Sequence, residues 1–302
     1  MRNKNKIKLI FLSGIKAAFR VTEKVSPFLA KRWAVKLFFS PVKFDYPAKE
    51  QKLLSQAKTF KVESNGVNLV GYEWGAGPVI LFMHGWAGRA TQVVEFVEPL
   101  TTAGFKVVAI DAPAHGKSPG KKTNILEFKE GVIAATTKAG PVHAAIGHSL
   151  GGTSLLFARK ESLPVEKLVL ISVPSIAEGI IKEFLKKIGG SHKIGESLKN
   201  YVYKKFNRSF EEFSALSLVA PPFPPTNFFI IHDRDDMEAP IVHFEKLSEK
   251  LPYAKKLITR SFGHTKILRS TEAINSVIEF LKEEKTDLVD NNITTVKEKA
   301  LK

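Results

Sequence analysis

No cysteine occurs anywhere in the 302 residues, which removes disulfides, zinc–thiolate sites and a thiol nucleophile from consideration. Long apolar runs are missing too: no stretch approaches the roughly 20 uninterrupted residues that a membrane-spanning helix needs. Zinc-finger, ribonucleoprotein and basic-zipper patterns are all absent, so the net charge of +16 is not read as a sign of nucleic-acid binding. Acidic residues are scarce in one region. Residues 1–50 carry twelve basic side chains against only Glu23, Asp45 and Glu50, which accounts for over half of the excess. The remainder is mildly basic, and a hydrophobic content of 44% is that of a globular chain able to bury one large core. A reducing, cytoplasmic compartment fits the lack of cysteine.

The amino-terminal stretch "MRNKNKIKLIFLSGIKAAFR" opens like a signal peptide. Its apolar patch from Leu9 to Ile15 is short, Lys16 follows at once and no A-x-A cleavage site appears, so the segment is read as retained. Ile7, Ile10, Phe11, Gly14, Ile15 and Ala18, and then Leu29, Trp33 and Leu37, recur at helical spacing with basic residues between them. That spacing predicts two amphipathic helices separated by Ser26-Pro27. Two roles stay open for residues 1–40: packing on the main domain, or a basic amphipathic surface for anionic lipid headgroups. "FFSPVKFDYPAKE", with Pro41 and Pro47, reads as an irregular linker that completes an extension over 1–59.

From residue 60 to about 285, short apolar runs alternate with helical stretches. The predicted strands are "TFKVES", "NLVGYEW", "PVILFMHG", "KVVAIDAP", "VHAAIGHS", "KLVLISVP", "NFFIIHD" and "KKLITRS"; helices are expected near 90–103, 123–139, 151–162, 241–250 and 271–284. The first two strands look like a hairpin. The later ones are continuous apolar runs, as when helices cover both faces of a parallel sheet, so the fold class is α/β. Residues 286–302 read as a polar tail. In such sheets, functional loops gather at the carboxyl ends of the strands. There "GHSLGG" sets Gly147, Ser149 and Gly151 between a strand and a helix. A G-x-S-x-G pattern alone is weak, but a sharp strand-to-helix turn needs small neighbours if the serine oxygen is to project.

From about residue 60 to 284 the chain resembles the serine esterases and lipases of the α/β-hydrolase superfamily. "GHSLGG" resembles the nucleophile elbow, "FMHGWAG" the oxyanion loop after the third strand, and "DAPAHGKS" the loop after the fourth. The resemblance implies a mostly parallel, eight-stranded sheet covered by helices on both faces. It also implies a helical cap inserted at about 175–222, where Ile176, Ile180, Phe184 and Ile188 fall at four-residue intervals. One departure is Asp111-Ala-Pro-Ala-His-Gly-Lys-Ser118, where family members often have D-x-x-G-x-G-x-S.

Carried over residue by residue, the resemblance makes Ser149 the nucleophile and expects a triad in the order serine, acid, histidine. Of eight histidines, only His243 and His264 follow the acidic stretch "HDRDDMEAP". His243 falls inside a predicted helix, whereas His264 sits in a glycine-bearing loop past the last strand and is taken as the base. Four carboxylates crowd that acidic stretch: Asp233, Asp235, Asp236 and Glu238. They lack the ligand spacing of a calcium loop, and no metal or cofactor is expected. The family's H-G-x-x-D-x-x-x-P arrangement matches His232, Asp236 and Pro240, so Asp236 is taken as the orienting acid. Asp233 stands where glycine is usual, as a residue that accepts positive φ; Asp235 and Glu238 are expected to be solvated.

The backbone N–H groups of Trp86 and Leu150 are the implied oxyanion hole. The Trp86 indole is expected either to wall an acyl pocket or to pack in the core. His84, Gly85 and His148 are placed at the substrate pocket, with His84 also expected to hold its loop by hydrogen bonds, and Arg89 is expected to be a solvated arginine at a helix start. The function implied is hydrolysis of a carboxylic ester or thioester on a small-molecule substrate. C–C, amide or lactone cleavage and perhydrolysis remain alternatives within the fold. A catalytically idle binding or membrane-attached module is the alternative from another class. Nothing in the sequence bears on oligomeric state.

Overall fold

The computed structural model describes residues 2–161 and 163–283. The side chains of residues 1–12, and the tail expected over 286–302, lie outside the described residues. The chain begins with α1 (Arg2–Val25), α2 (Pro27–Phe39) and α3 (Ala48–Ser55), followed by the hairpin β1 (Lys58–Ser64) and β2 (Val67–Trp74). Then come β3 (Val79–Met83), α4 (Val94–Thr102), β4 (Lys106–Ile110), α5 (Ile125–Ala139), β5 (Val142–His148), α6 (Leu150–Glu161) and β6 (Lys167–Ile171). A helical segment of α7 (Ala177–Ile188), α8 (His192–Phe206) and α9 (Ala215–Leu218) leads to β7 (Asn227–Asp233). The chain closes with α10 (Val242–Lys250), β8 (Lys255–Thr259), α11 (Gly263–Lys266) and α12 (Thr271–Lys282).

All eight predicted strands form, in one sheet of order β1-β2-β4-β3-β5-β6-β7-β8. The first two pairings, β1 with β2 and β2 with β4, are antiparallel, and every later one is parallel. Side chains alternate across a strand with a period of two, and the core is split accordingly. Leu81, Met83, Val108, Ile110, Leu168 and Leu170 face α5, α6 and the 177–206 helices. Ile80, Phe82, Val107, Ile146, Val169 and Ile171 face α4 and α12. With both faces covered, the sheet opens functionally only at its ends. The carboxyl ends of β3, β5, β7 and β8 all lie on the same side of this parallel array.

The amino-terminal segment forms the two expected helices, with Ser26 capping α2 through a bond from Leu29 N–H. Their inner stripe differs from the sequence reading by one position. After Ile15 the buried residue is Phe19 and not Ala18, and in α2 it is Ala30 and Ala34, flanked by Trp33 and Leu37, while Leu29 is exposed. Spacings of three and four both keep a residue on one helix face, so the pattern left that choice open. Phe19 and the α2 residues meet Ile188 and Ile194 of the helical segment. The expected linker also contains a helix: α3 starts directly after Pro47, with Glu50 in its first turn. At eight residues it is too short for periodicity to reveal.

Candidate active site

The elbow is the tightest turn in the sheet. Ser149 sits between β5 and α6 with φ +53, a left-handed conformation that costs an L-residue roughly 1–2 kcal/mol. Its N–H donates to the Ile171 carbonyl of the neighbouring strand at 2.9 Å. Glycine is required on either side. A Cβ at Gly147 would lie 2.4 Å from Gly152 Cα, and one at Gly151 would lie 2.2 Å from the Met83 carbonyl oxygen. The turn therefore presses α6 onto the end of β3 and leaves the serine side chain at its crest.

His264 lies in α11, one residue after Gly263, which takes φ +67. The loop that carries it is held by carboxylates. Asp233 accepts hydrogen bonds from Thr259 Oγ1 (2.7 Å), Gly263 N–H (2.9 Å), Phe262 N–H (3.2 Å) and Asp235 N–H (3.0 Å). Asp235 accepts one from Ser261 N–H at 2.8 Å. On the far side, His148 Nε2–H donates to the His264 carbonyl at 2.8 Å. The imidazole then spans two partners: Nδ1 is 2.7 Å from Asp236 Oδ2 and Nε2 is 2.9 Å from Ser149 Oγ. Because the carboxylate can only accept, Nδ1 carries the proton and Nε2 is the acceptor that faces the serine.

Asp236 is buried with no exposed side-chain surface. Its Oδ1 accepts from the N–H groups of Glu238 and Ala239, both at 2.8 Å. Burial acts to raise its pKa, but the hydrogen bonds from His264, Ala239 and Glu238 outweigh it and hold the carboxyl below the usual aspartate range. His232 supports this loop from behind: its Nε2–H donates to the Ala239 carbonyl at 2.7 Å, and burial lowers its pKa so that the ring stays neutral.

Gly85 abuts Ser149, since a Cβ there would come within 2.8 Å of Ser149 Cβ. The loop it belongs to is fastened to the loop after β4. His84 Nδ1–H donates to the Gly85 carbonyl (2.7 Å) and its Nε2 accepts from Ala112 N–H (3.0 Å). His115 Nε2 accepts from Ala87 N–H (2.9 Å), and its Nδ1–H donates to the Pro113 carbonyl (3.0 Å). Asp111 accepts from the N–H groups of Ala90 and Lys117, both at 2.8 Å. Burial depresses the histidine pKa values, to about 4 for His84 and about 3 for His115, so both rings are neutral and each can accept at one nitrogen while donating at the other. No acceptor among the described residues takes Trp86 N–H. Leu150 opens α6, where the first N–H groups of a helix have no intrahelical acceptor and the helix dipole is positive.

Trp86 is 36% exposed, with its ring edge-on to His115 at 5.4 Å, so it is not a core tryptophan. His84 and His148 are buried at 0 and 3% exposure; both His84 nitrogens are hydrogen-bonded, whereas His148 bonds through Nε2 and its Nδ1 has no partner among the described residues. Two readings are corrected. Arg89 is not solvated: it is buried and grips Glu50 of α3 at 2.5 and 2.9 Å, with its guanidinium 4.7 Å above the Tyr46 ring. Asp233 does not take positive φ; it ends β7 in extended pairing with Thr259. Glu238 is exposed as expected, and there it pairs with Lys187 of α7 at 2.6 Å. The anchoring work of Asp233 had no signal in the sequence, because it depends on the register that sets β7 beside β8.

The Arg89–Glu50 pair ties the amino-terminal extension to the loop after β3. Thr91 Oγ1 adds a third bond to the same carboxylate at 2.5 Å. Removing one member of a buried pair strands the other charge. Arg89→Met is therefore expected to lower the unfolding free energy by about 3 kcal/mol, read from urea unfolding, and Arg89→Met/Glu50→Leu to regain much of it. An Arg89→Met midpoint equal to wild type would show that the pair contributes nothing.

A mostly parallel sheet with a strained serine elbow between strand and helix, and a His–Asp pair brought to it from the ends of β7 and β8, defines an α/β-hydrolase-fold protein. The comparisons agree. The family model described as alpha/beta hydrolase fold matches residues 78–188. A bifunctional esterase/perhydrolase of Acinetobacter calcoaceticus is 29% identical over 165 residues, covering 50% of this chain and 56% of that protein. A non-heme chloroperoxidase of Streptomyces lividans is 34% identical over 123 residues, covering 37% and 44%. An esterase structure from Pyrococcus furiosus superposes with a TM-score of 0.62 at 21% identity, over 80% of this chain and 98% of that one. The chain spans about half the length of these two curated relatives. Its fold is the α/β-hydrolase fold, and the family likeness in sequence covers residues 78–188.

Proposed function

We propose that the protein is a serine hydrolase that cleaves a carboxylic ester or thioester of a small-molecule substrate through an acyl-enzyme on Ser149. The observation that carries this reading is the unbroken chain Ser149 Oγ–His264 Nε2–Asp236 Oδ2, at 2.9 and 2.7 Å. Its support from the relatives is that they are esterases, haloperoxidases and lipases by name.

In the proposed sequence Ser149 Oγ attacks the acyl carbon while its proton passes to His264 Nε2. The developing imidazolium is stabilised by Asp236, already ionised and hydrogen-bonded to Nδ1. The carbonyl oxygen becomes an oxyanion, accepted by the N–H groups of Trp86 and Leu150. Collapse expels the alkoxide or thiolate, which takes the proton from His264 Nε2 and leaves as alcohol or thiol. Water then gives a proton to His264 and attacks the acyl-enzyme. The second collapse returns that proton to Ser149 Oγ and releases the acid. The helical segment around 175–222 serves as the cap in this scheme, with Lys187 and Glu238 joining it to the acid loop.

The test is a fluorophosphonate probe, which phosphonylates a serine only where a base activates it. A stoichiometric adduct mapped to Ser149 by mass spectrometry is the expected result. A folded sample that gives no adduct, or one on a different serine, sinks the reading and leaves an idle hydrolase-fold module.

A further inference from the structure

The helical hairpin at the amino terminus has one face occupied and one face open. Its inner stripe is committed to the helical segment through Phe19, Ala30 and Ala34 against Ile188 and Ile194. The Phe19 and Trp33 rings meet at 5.3 Å across the hairpin, which places the Ser26-Pro27 elbow midway between them, at the tip. Around that tip stand apolar side chains that touch nothing large: Val25 is 81% exposed, Phe28 66%, Val21 61% and Leu29 53%. Val21 and Val25 lie one turn apart on the outer face of α1, and Phe28 and Leu29 form the first turn of α2. Scattered exposed apolar residues need no explanation, but four together at one protruding elbow mark a contact surface.

The charge around the tip selects the partner. Arg20 and Lys24 follow the same outer face of α1, and Lys31 and Arg32 follow that of α2, all exposed or partly so; the Arg32 guanidinium sits 5.7 Å over the Phe28 ring. Between Lys16 and Lys36 the one acidic residue is Glu23. Its carboxylate is turned to the inner side, where it accepts from Ser191 N–H at 3.1 Å and from the Ser191 hydroxyl. The outer face of the hairpin tip thus carries cations and apolar groups with no carboxylate. A second copy of this surface would set cation against cation. A nucleic acid would use the cations but leave three aliphatic side chains without a role, since bases stack on aromatic rings. A bilayer with anionic headgroups uses both: apolar side chains enter the acyl boundary while Lys and Arg stay at headgroup level.

We propose that the α1–α2 elbow, through Val21, Val25, Phe28 and Leu29 with Arg20, Lys24, Lys31 and Arg32, docks the protein peripherally on an anionic membrane. The opposite face of the hairpin is packed on α7 and α8, so docking would fix the helical segment relative to the membrane surface. No described helix is long and apolar enough to cross a membrane, in keeping with a surface that rests on one leaflet.

The test is co-sedimentation of the full chain with phosphatidylcholine vesicles and with vesicles that also contain phosphatidylglycerol. Wild type is expected to bind the anionic vesicles at least about ten-fold more strongly than the neutral ones. Val25→Asp/Phe28→Asp and, separately, Arg20→Glu/Lys24→Glu are each expected to weaken anionic-vesicle binding by about ten-fold or more, with thermal unfolding unchanged. These positions contact neither the core nor the catalytic loops, so the readout is independent of whether the protein hydrolyses esters. Equal sedimentation with both vesicle types overturns the proposal. So does wild-type binding in both double variants, and so does a vesicle-free dimer that Val25→Asp/Phe28→Asp dissociates.

Discussion

Ser149→Ala is expected to lower ester hydrolysis by roughly 10⁴- to 10⁶-fold in kcat, the range seen when a triad nucleophile is removed and only the oxyanion hole and binding remain. The loss should fall on kcat and leave KM within a few-fold, because the hydroxyl contributes to the transition state and little to substrate binding. Ser149→Gly should be equally inactive. The two dead variants should nevertheless differ in stability. Position 149 holds φ +53, a region open to glycine and strained for alanine, so the glycine variant should exceed the alanine variant by about 1 kcal/mol in unfolding free energy. A hydrolytic rate in Ser149→Ala above about one hundredth of wild type would place the chemistry on another group. Identical unfolding midpoints for the two variants would mean that the elbow relaxes once the hydroxyl is gone.

That strain locates what the sequence could and could not reveal. The strands were legible because helices on both faces force continuous apolar runs, and those runs end where polar or glycine residues begin the functional loops. The elbow was legible for the same reason its geometry is demanding: Gly147 and Gly151 leave no room for a side chain, so composition itself records the turn. Ser149, His264 and Asp236 could be chosen as candidates from loop position and from the family resemblance. The groups that hold them could not. Asp233 and Asp236 are three residues apart and chemically identical, yet one accepts four hydrogen bonds from the loop that carries the histidine and its own turn, and the other accepts from the histidine itself. Only the pairing of Asp233 with Thr259 in the β7–β8 register separates the two tasks. The buried grip of Arg89 on Glu50 was hidden likewise, because it joins residues 39 positions apart through a helix of eight residues.

The three aspartates of this loop therefore make the most discriminating experiment. Asp236→Asn is expected to lower kcat by about 10⁴-fold while the fold survives. The substituted side chain keeps an Oδ1 that can still accept from the Glu238 and Ala239 N–H groups, which leaves its amide NH₂ facing His264 where the carboxylate now accepts from Nδ1 at 2.7 Å. Two donors cannot share that contact. The imidazole must move its proton to Nε2, the nitrogen that faces Ser149, and a protonated Nε2 accepts nothing from the serine. Asp235→Asn should change kcat less than about three-fold, since asparagine keeps an oxygen for the single exposed bond from Ser261 N–H. Asp233→Asn should fall between them. Its NH₂ would oppose one of the N–H donors of the loop, loosening the segment that sets His264 beside Ser149 and costing about 1–3 kcal/mol of stability. The substitution at Asp236 alone should therefore reduce catalysis without reducing the unfolding midpoint in proportion, and that at Asp233 should reduce both. Steady-state kinetics and urea unfolding on the three variants decide it. If Asp235→Asn loses more activity than Asp236→Asn, the orienting carboxylate is one residue earlier than the 2.7 Å contact places it, and the orientation of His264 must be assigned to Asp235.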